Sequence, residues 1–233
     1  MIGGQRPNIV VLVSHNTGRH ISPYGISAVD TPNAERLAGE GVLFENSFCT
    51  SPVGCSSRAG LFSGRYPHSF GVLGRTDAWA GFRFSPEAAH AAKHFKDMGY
   101  ATMLLGGAQE IAGAGCPDLY YDGMGFDARG PEGQRLFARD LETELPAILD
   151  ARKDPQQPFY LQIGPQETHA SCLKDGVVPY TEKGVTIPES AALRSAVNSL
   201  DEGLGHILNI LQLRFFCASI TASIGQVCSF VTR

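Results

Sequence analysis

Three short apolar runs dominate what this chain can fold into. They are NIVVLV (8–13), YATMLLGG (100–107) and PFYLQIG (158–164). Continuous apolar residues without alternation mark strands buried on both faces, which need helices above and below. Helical stretches lie between them. Thr31 and Pro32 fit the cap and first turn of one. Ser85 and Pro86 open another, SPEAAHAAKHFKDMGY, with Gly99 as its stop. Leu136 to Leu149 is a third, with an acidic start, and Pro188 and Glu189 begin a fourth that runs through LDEGLGHILNILQ. The alternation predicts an α/β fold with a mostly parallel sheet flanked by helices on both faces. In such sheets ligands bind beyond the C-terminal strand ends. Each run is followed there by a polar cluster: SHN after the first, AQE after the second, PQETH after the third.

The chain has 233 residues, enough for one ordinary domain or most of a larger one. Its net charge of −4 excludes a general nucleic-acid binder. No apolar run reaches membrane-spanning length, so no membrane partner is expected. The start, MIGGQRPNIVVLVSHN, reads as a first buried strand and not as an export signal, which implies a cytoplasmic chain with reduced thiols. Six cysteines show neither C-x-x-C nor zinc spacing with histidine, so each reads first as a small buried apolar residue.

The stretch SPVGCSSRAGLFSGRYPHS (51–69) resembles a nucleophile loop. It places Cys55 three residues before Arg58, and a short helix is expected after Arg58. A nucleophile just ahead of a helix meets the helix's positive end. Whether residue 54 or 55 holds the chemical position stays open on spacing alone.

The order of these segments resembles the sulfatases of the alkaline-phosphatase-like superfamily, nearest to N-sulfoglucosamine sulfohydrolase (sulfamidase)-like bacterial members. The matching text is RPNIVVLVSHNTGRHISPYG, TPNAERLAGEGVLFENSFCTSPVGCSSRAGLFSGRYPHSFGV, GYATMLLGGAQE, PFYLQIGPQETH and SLDEGLGHIL, in the family's order and spacing. The resemblance implies hydrolysis of sulfate esters or sulfamates. In the family, a cysteine in C-x-P-x-R becomes formylglycine, whose hydrate attacks sulfur, and calcium neutralises the sulfate oxygens. Such a hard cation takes oxygen ligands and acts as a Lewis acid.

Carried over by residue, the motif arginine is Arg58, and counting back four puts the nucleophile position on Gly54. The motif proline falls on Ser56, and Cys55 stands one place out. The first metal pair falls on His15 and Asn16, the latter without a carboxylate's charge. Gln109 stands where a histidine belongs, with Glu110 kept, and His169 matches a histidine that contacts the sulfate oxygens. The second metal pair would follow the LDEGLGHIL helix, where LRFFCASITASIGQVCSFVTR stands instead. The expectation is a sulfatase-like portion over 6–212, incomplete at the C-terminus, with an atypical tail over 213–233. Its implied ligand is a sulfated sugar or an aryl sulfate. Turnover is not guaranteed by these residues, and the alternative is a non-catalytic relative that binds anionic sugars. A phosphatase using Ser56, Ser57 or Cys55 ranks behind both, because two-metal chemistry needs the carboxylates that are missing. A shortened sheet would leave apolar surface for a partner chain or self-association.

Overall fold

The computed structural model describes residues 6–76, 82–111, 121, 123–130, 136–169, 191–215, 218–223 and 230–232. The first apolar run forms β1 (Asn8–Val13), near the middle of a seven-stranded sheet. On one side β1 pairs in parallel with β5 (Phe159–Gly164), which pairs in parallel with β3 (Ala101–Gly106). Beyond β3 lies the two-residue β4 (Ala128–Arg129), also parallel. On the other side β1 pairs in parallel with β6 (Ala218–Ser223). The antiparallel β7 (Phe230–Thr232) and β2 (Val42–Leu43) complete that flank. Thus the C-terminal stretch, which shows no legible strand period, supplies two strands. Within GVLFENSF only Val42–Leu43 form a strand, and Phe44 and Phe48 beyond it are exposed.

Alternation along the strands explains the continuous apolar runs. Val10, Leu12, Met103, Leu105, Leu161 and Ile163 face one way. They pack on α1 (Pro32–Glu40), α4 (Leu141–Asp150) and α5 (Ala191–Arg214) through residues such as Leu37, Leu145 and Ile207. Ile9, Val11, Leu104 and Tyr160 face the other way. There they meet α2 (Gly54–Ser63) at Ala59 and α3 (Ala91–Asp97) at Ala92 and Phe95. Each fully buried aliphatic side chain contributes about 1.5–3 kcal/mol, so both faces hold the sheet that positions the loops.

Helix boundaries differ from the sequence reading in several places, among them the helix expected from Leu136, where a 3-10 turn at Ala138–Asp140 precedes α4 at Leu141. α2 starts at Gly54, four residues before Arg58, so Arg58 lies within the helix. The stretch from Ser85 splits: a 3-10 turn at Pro86–Ala88 is followed by Ala89 at φ 54°, and α3 begins only at Ala91, capped by the His90 side chain. Thr31 precedes α1 without capping it, because its hydroxyl is taken by Ser22. Asp201 of α5 caps α1 instead, accepting from the Asn33 and Ala34 amides. Gly205 makes that approach possible: a Cβ there would come within 2.8 Å of the Asn33 side chain. The expected start of α5 at Pro188 and Glu189 lies outside the described residues. Among the described residues no helix is long and apolar enough to cross a membrane.

Candidate active site

The parallel register brings the ends of β1, β3 and β5 together, and their three polar loops meet there. Gly106 and Gly164 pair across β3 and β5. A Cβ on Gly164 would run into the Gly107 carbonyl, so these glycines let two loops cross in contact. The loop after β1 is laced to the loop after β5. Thr17 Oγ1 donates to the His15 carbonyl at 3.0 Å and lies 3.2 Å from Thr168 Oγ1. Thr168 Oγ1 also donates to the His15 carbonyl. Asn16 sits between them at φ 48°, a left-handed conformation that asparagine tolerates better than most residues.

His15 is buried in this lacing. Its Nε2 lies 3.1 Å from Gln166 Nε2, and its ring meets the His169 ring edge-on with centroids 5.1 Å apart. An amide NH2 can only donate, so His15 Nε2 accepts and the proton of the neutral ring belongs on Nδ1. Burial, then the positive charge of Arg58 and then His169, push the His15 pKa down to about 2. His15 therefore enters the site as a neutral ring.

Arg58 reaches back from the second turn of α2 into the same place. Its Nη2 donates to the Ser14 carbonyl at 2.8 Å and its Nη1 to Gln109 Oε1 at 3.3 Å. One guanidinium thus joins the loops after β1 and β3. A Cβ built on Gly54 would lie 3.3 Å from Arg58 Nη1. The first side-chain direction of α2 therefore points at the guanidinium. Cys55 is the next helical residue, so its side chain leaves the axis about 100° away. It is a half-buried free thiol. Ser56, in the motif proline's place, spends its hydroxyl on the Gly74 carbonyl at 3.1 Å.

Behind Gln109 lies a buried polar cluster, of which sequence reasoning named only Glu110. Glu110 is fully buried, and its Oε1 accepts from Gln162 Nε2 at 2.7 Å and faces His90 Nε2 at 3.4 Å. His90 Nδ1 accepts the Ala92 amide as the cap of α3, which leaves Nε2 to carry the neutral ring's proton toward Glu110. Tyr160 donates its hydroxyl to Gln162 Oε1 at 3.3 Å. Among the described residues Glu110 Oε2 has no hydrogen-bond partner. Histidine is a rare cap, and strand-facing Gln162 looks like an interruption of an apolar run, so neither signals the cluster in sequence. Gln166 and Glu167 were likewise hidden inside PQETH. Glu167 is buried, accepts from the Ala138 amide, and its pKa rises to about 7, first through burial and then through nearby Asp140.

Calcium, the metal that the resemblance implies, takes about six to eight oxygen ligands, carboxylates foremost. The donors at the end of β1 do not fit it. His15 offers nitrogen, already engaged by Gln166, and Asn16 offers an uncharged amide. Arg58 places positive charge close enough to depress the His15 pKa, and that charge opposes a cation too. Among the described residues no group of three or more His, Cys, Asp or Glu could hold a metal ion.

Comparisons with known proteins show what the chain resembles. Over 147 residues the chain is 35% identical to an N-acetylgalactosamine-6-O-sulfatase of Bacteroides thetaiotaomicron, covering 63% of this chain and 28% of that protein. Over 68 residues it is 46% identical to an ulvan-active sulfatase of Formosa agariphila, covering 29% and 11%. The chain thus spans about a third or less of these curated relatives. Among solved structures, Ps i-CgsB matches 94% of this chain and 58% of its own, with a TM-score of 0.72 at 18% identity. BT4656 in complex with its substrate D-glucosamine-2-N,6-O-disulfate matches 98% and 71%, with a TM-score of 0.65 at 17% identity. These structural likenesses show the shared fold. The family model for sulfatases matches residues 7–214, nearly the whole chain, and this chain belongs to the sulfatase family.

Proposed function

We propose that this chain binds the sulfate group of a sulfated sugar and does not hydrolyse it. Descent from sulfate-ester hydrolases supplies the ligand class. The observation that carries the reading is Gly54: the first side-chain direction of α2 aims at Arg58 Nη1, and the residue there has no side chain. Without a nucleophile at that point, attack on sulfur has no protein atom to start from. For other hydrolases, loss of the nucleophile costs about a millionfold in turnover. The binding half of the machinery remains. Arg58 is a permanent cation fixed between Ser14 and Gln109, and His169 lies at the same strand ends. Calcium, the metal expected from the resemblance, has no suitable donor set at His15 and Asn16.

Ligand-observed NMR with glucosamine N-sulfate and unsulfated glucosamine tests the reading. Saturation transfer to the sulfated sugar alone is expected. Equal transfer to both sugars, or to neither, contradicts it.

A further inference from the structure

We propose that Val53 and Leu73 form an apolar lip at the opening of the candidate site, which takes an apolar group that the ligand carries beside its sulfate. The inference rests on the sulfate-binding reading above and goes further by naming the part of the ligand that this chain selects. Val53 immediately precedes α2 and is 38% exposed. Its extended backbone turns into the helix there, and its carbonyl accepts the Ser57 amide at 2.8 Å. Leu73 comes from a different stretch and is 66% exposed. The backbone around Leu73 is tied down at three points. Val72 is buried in the cluster that holds Ala59 of α2. The Gly74 carbonyl accepts from Ser56 Oγ, in the first turn of α2. Thr76 is buried, and its hydroxyl donates to the Gln109 carbonyl. The stretch 72–76 thus runs from the first turn of α2 to the loop after β3, along one side of the site. Half-buried Phe82 extends the row, since a Cβ on Gly74 would meet its ring at 3.4 Å.

Leu73 therefore stands in water because an anchored backbone holds it there, beside the same helical turn as Val53. Such side chains gain hydrophobic free energy only when something apolar covers them. A sulfated ligand that turns its charge toward the polar strand ends brings its carbon body to this rim. A hydroxyl set against Val53 and Leu73 would lose water without gaining a hydrogen bond. The lip thus fits a ring face or another apolar group next to the sulfate, and it disfavours a hydroxyl-rich one.

The test titrates methyl sulfate and phenyl sulfate into the wild type and into Val53→Ser combined with Leu73→Ser, read by ligand-observed NMR. The two probes carry the same charged group and differ in the apolar body behind it. The wild type should bind phenyl sulfate about tenfold more tightly, which needs about 50–60 Å² of apolar surface removed from water. In the double variant that preference should fall below about threefold. Both side chains are exposed, so the variant should melt close to the wild type. A preference that the folded double variant keeps overturns the lip. Equal binding of the two sulfates by the wild type also overturns it and spares the sulfate-binding reading. No binding of either sulfate by the wild type overturns both. The wild-type comparison needs no variant, so it tests the lip even if the double variant folds poorly.

Discussion

Asp201, in the middle of α5, accepts the backbone amides of Asn33 and Ala34 at 3.0 and 2.8 Å and so caps a helix more than 160 residues away in sequence. Asn33 Nδ2 adds a third bond at 2.9 Å. Burial raises the Asp201 pKa despite these donors. Asp201→Ala removes all three acceptor contacts and leaves buried amides unpaired. It should destabilise the chain by about 1–3 kcal/mol, read from urea unfolding. An unchanged midpoint would show that α1 is held by packing alone.

The Glu110 cluster should be the most sensitive polar point of the interior. Glu110→Ala strips Gln162 and His90 of their shared acceptor and opens a cavity, at a cost of about 2–4 kcal/mol. Glu110→Gln keeps an oxygen for both and should cost about 1 kcal/mol. Because Glu110 follows Gln109, which accepts from Arg58, the alanine variant should also weaken sulfate binding while the glutamine variant retains it. Equal stability of the two variants would contradict this division of roles.

Glu167 gives a pH dependence with a defined sign. Its folded pKa of about 7 lies above its ordinary 4.5, so the folded chain holds the proton more tightly than the unfolded one. The stabilising contribution is complete below about pH 4.5 and is lost as pH rises through about 7, on the order of 3 kcal/mol in total. Against Glu167→Gln, the wild type should lose stability between about pH 5 and about pH 8 in paired denaturant titrations. Parallel pH profiles for the two proteins would refute the assignment.

Exposed apolar side chains gather along one stretch before α2: Val42, Phe44 and Phe48 are 53%, 43% and 90% accessible. Their stretch begins at β2, an edge of the sheet. Exposed apolar surface at a sheet edge favours association. Phe44→Ser combined with Phe48→Ser should lower the apparent mass in light scattering at high concentration without lowering the melting temperature. A double variant that scatters like the wild type would place any association elsewhere.

The parts legible in sequence were those set by local pattern. The runs NIVVLV, YATMLLGG and PFYLQIG became β1, β3 and β5, because a strand buried on both faces must be apolar throughout. Their polar ends met as parallel topology requires. The start of α2 was misplaced because Ser56, Ser57, Arg58, Ala59, Gly60 and Phe62 are all buried, so no apolar stripe marks the helix. The break at Ala89 rests on one positive φ that alanine does not announce. His90, Gln162 and Gln166 acquired roles only through partners distant in sequence. Arg58, Gln109 and His169 were identified by resemblance, and only the folded chain shows that Gly54 and Gln109 share one guanidinium.

The most direct check on binding without hydrolysis is to hold the chain at saturating glucosamine N-sulfate and quantify free sulfate by ion chromatography over time. The expected result is no sulfate above the protein-free blank while the ligand stays bound. Sulfate release that rises in proportion to protein concentration would contradict it.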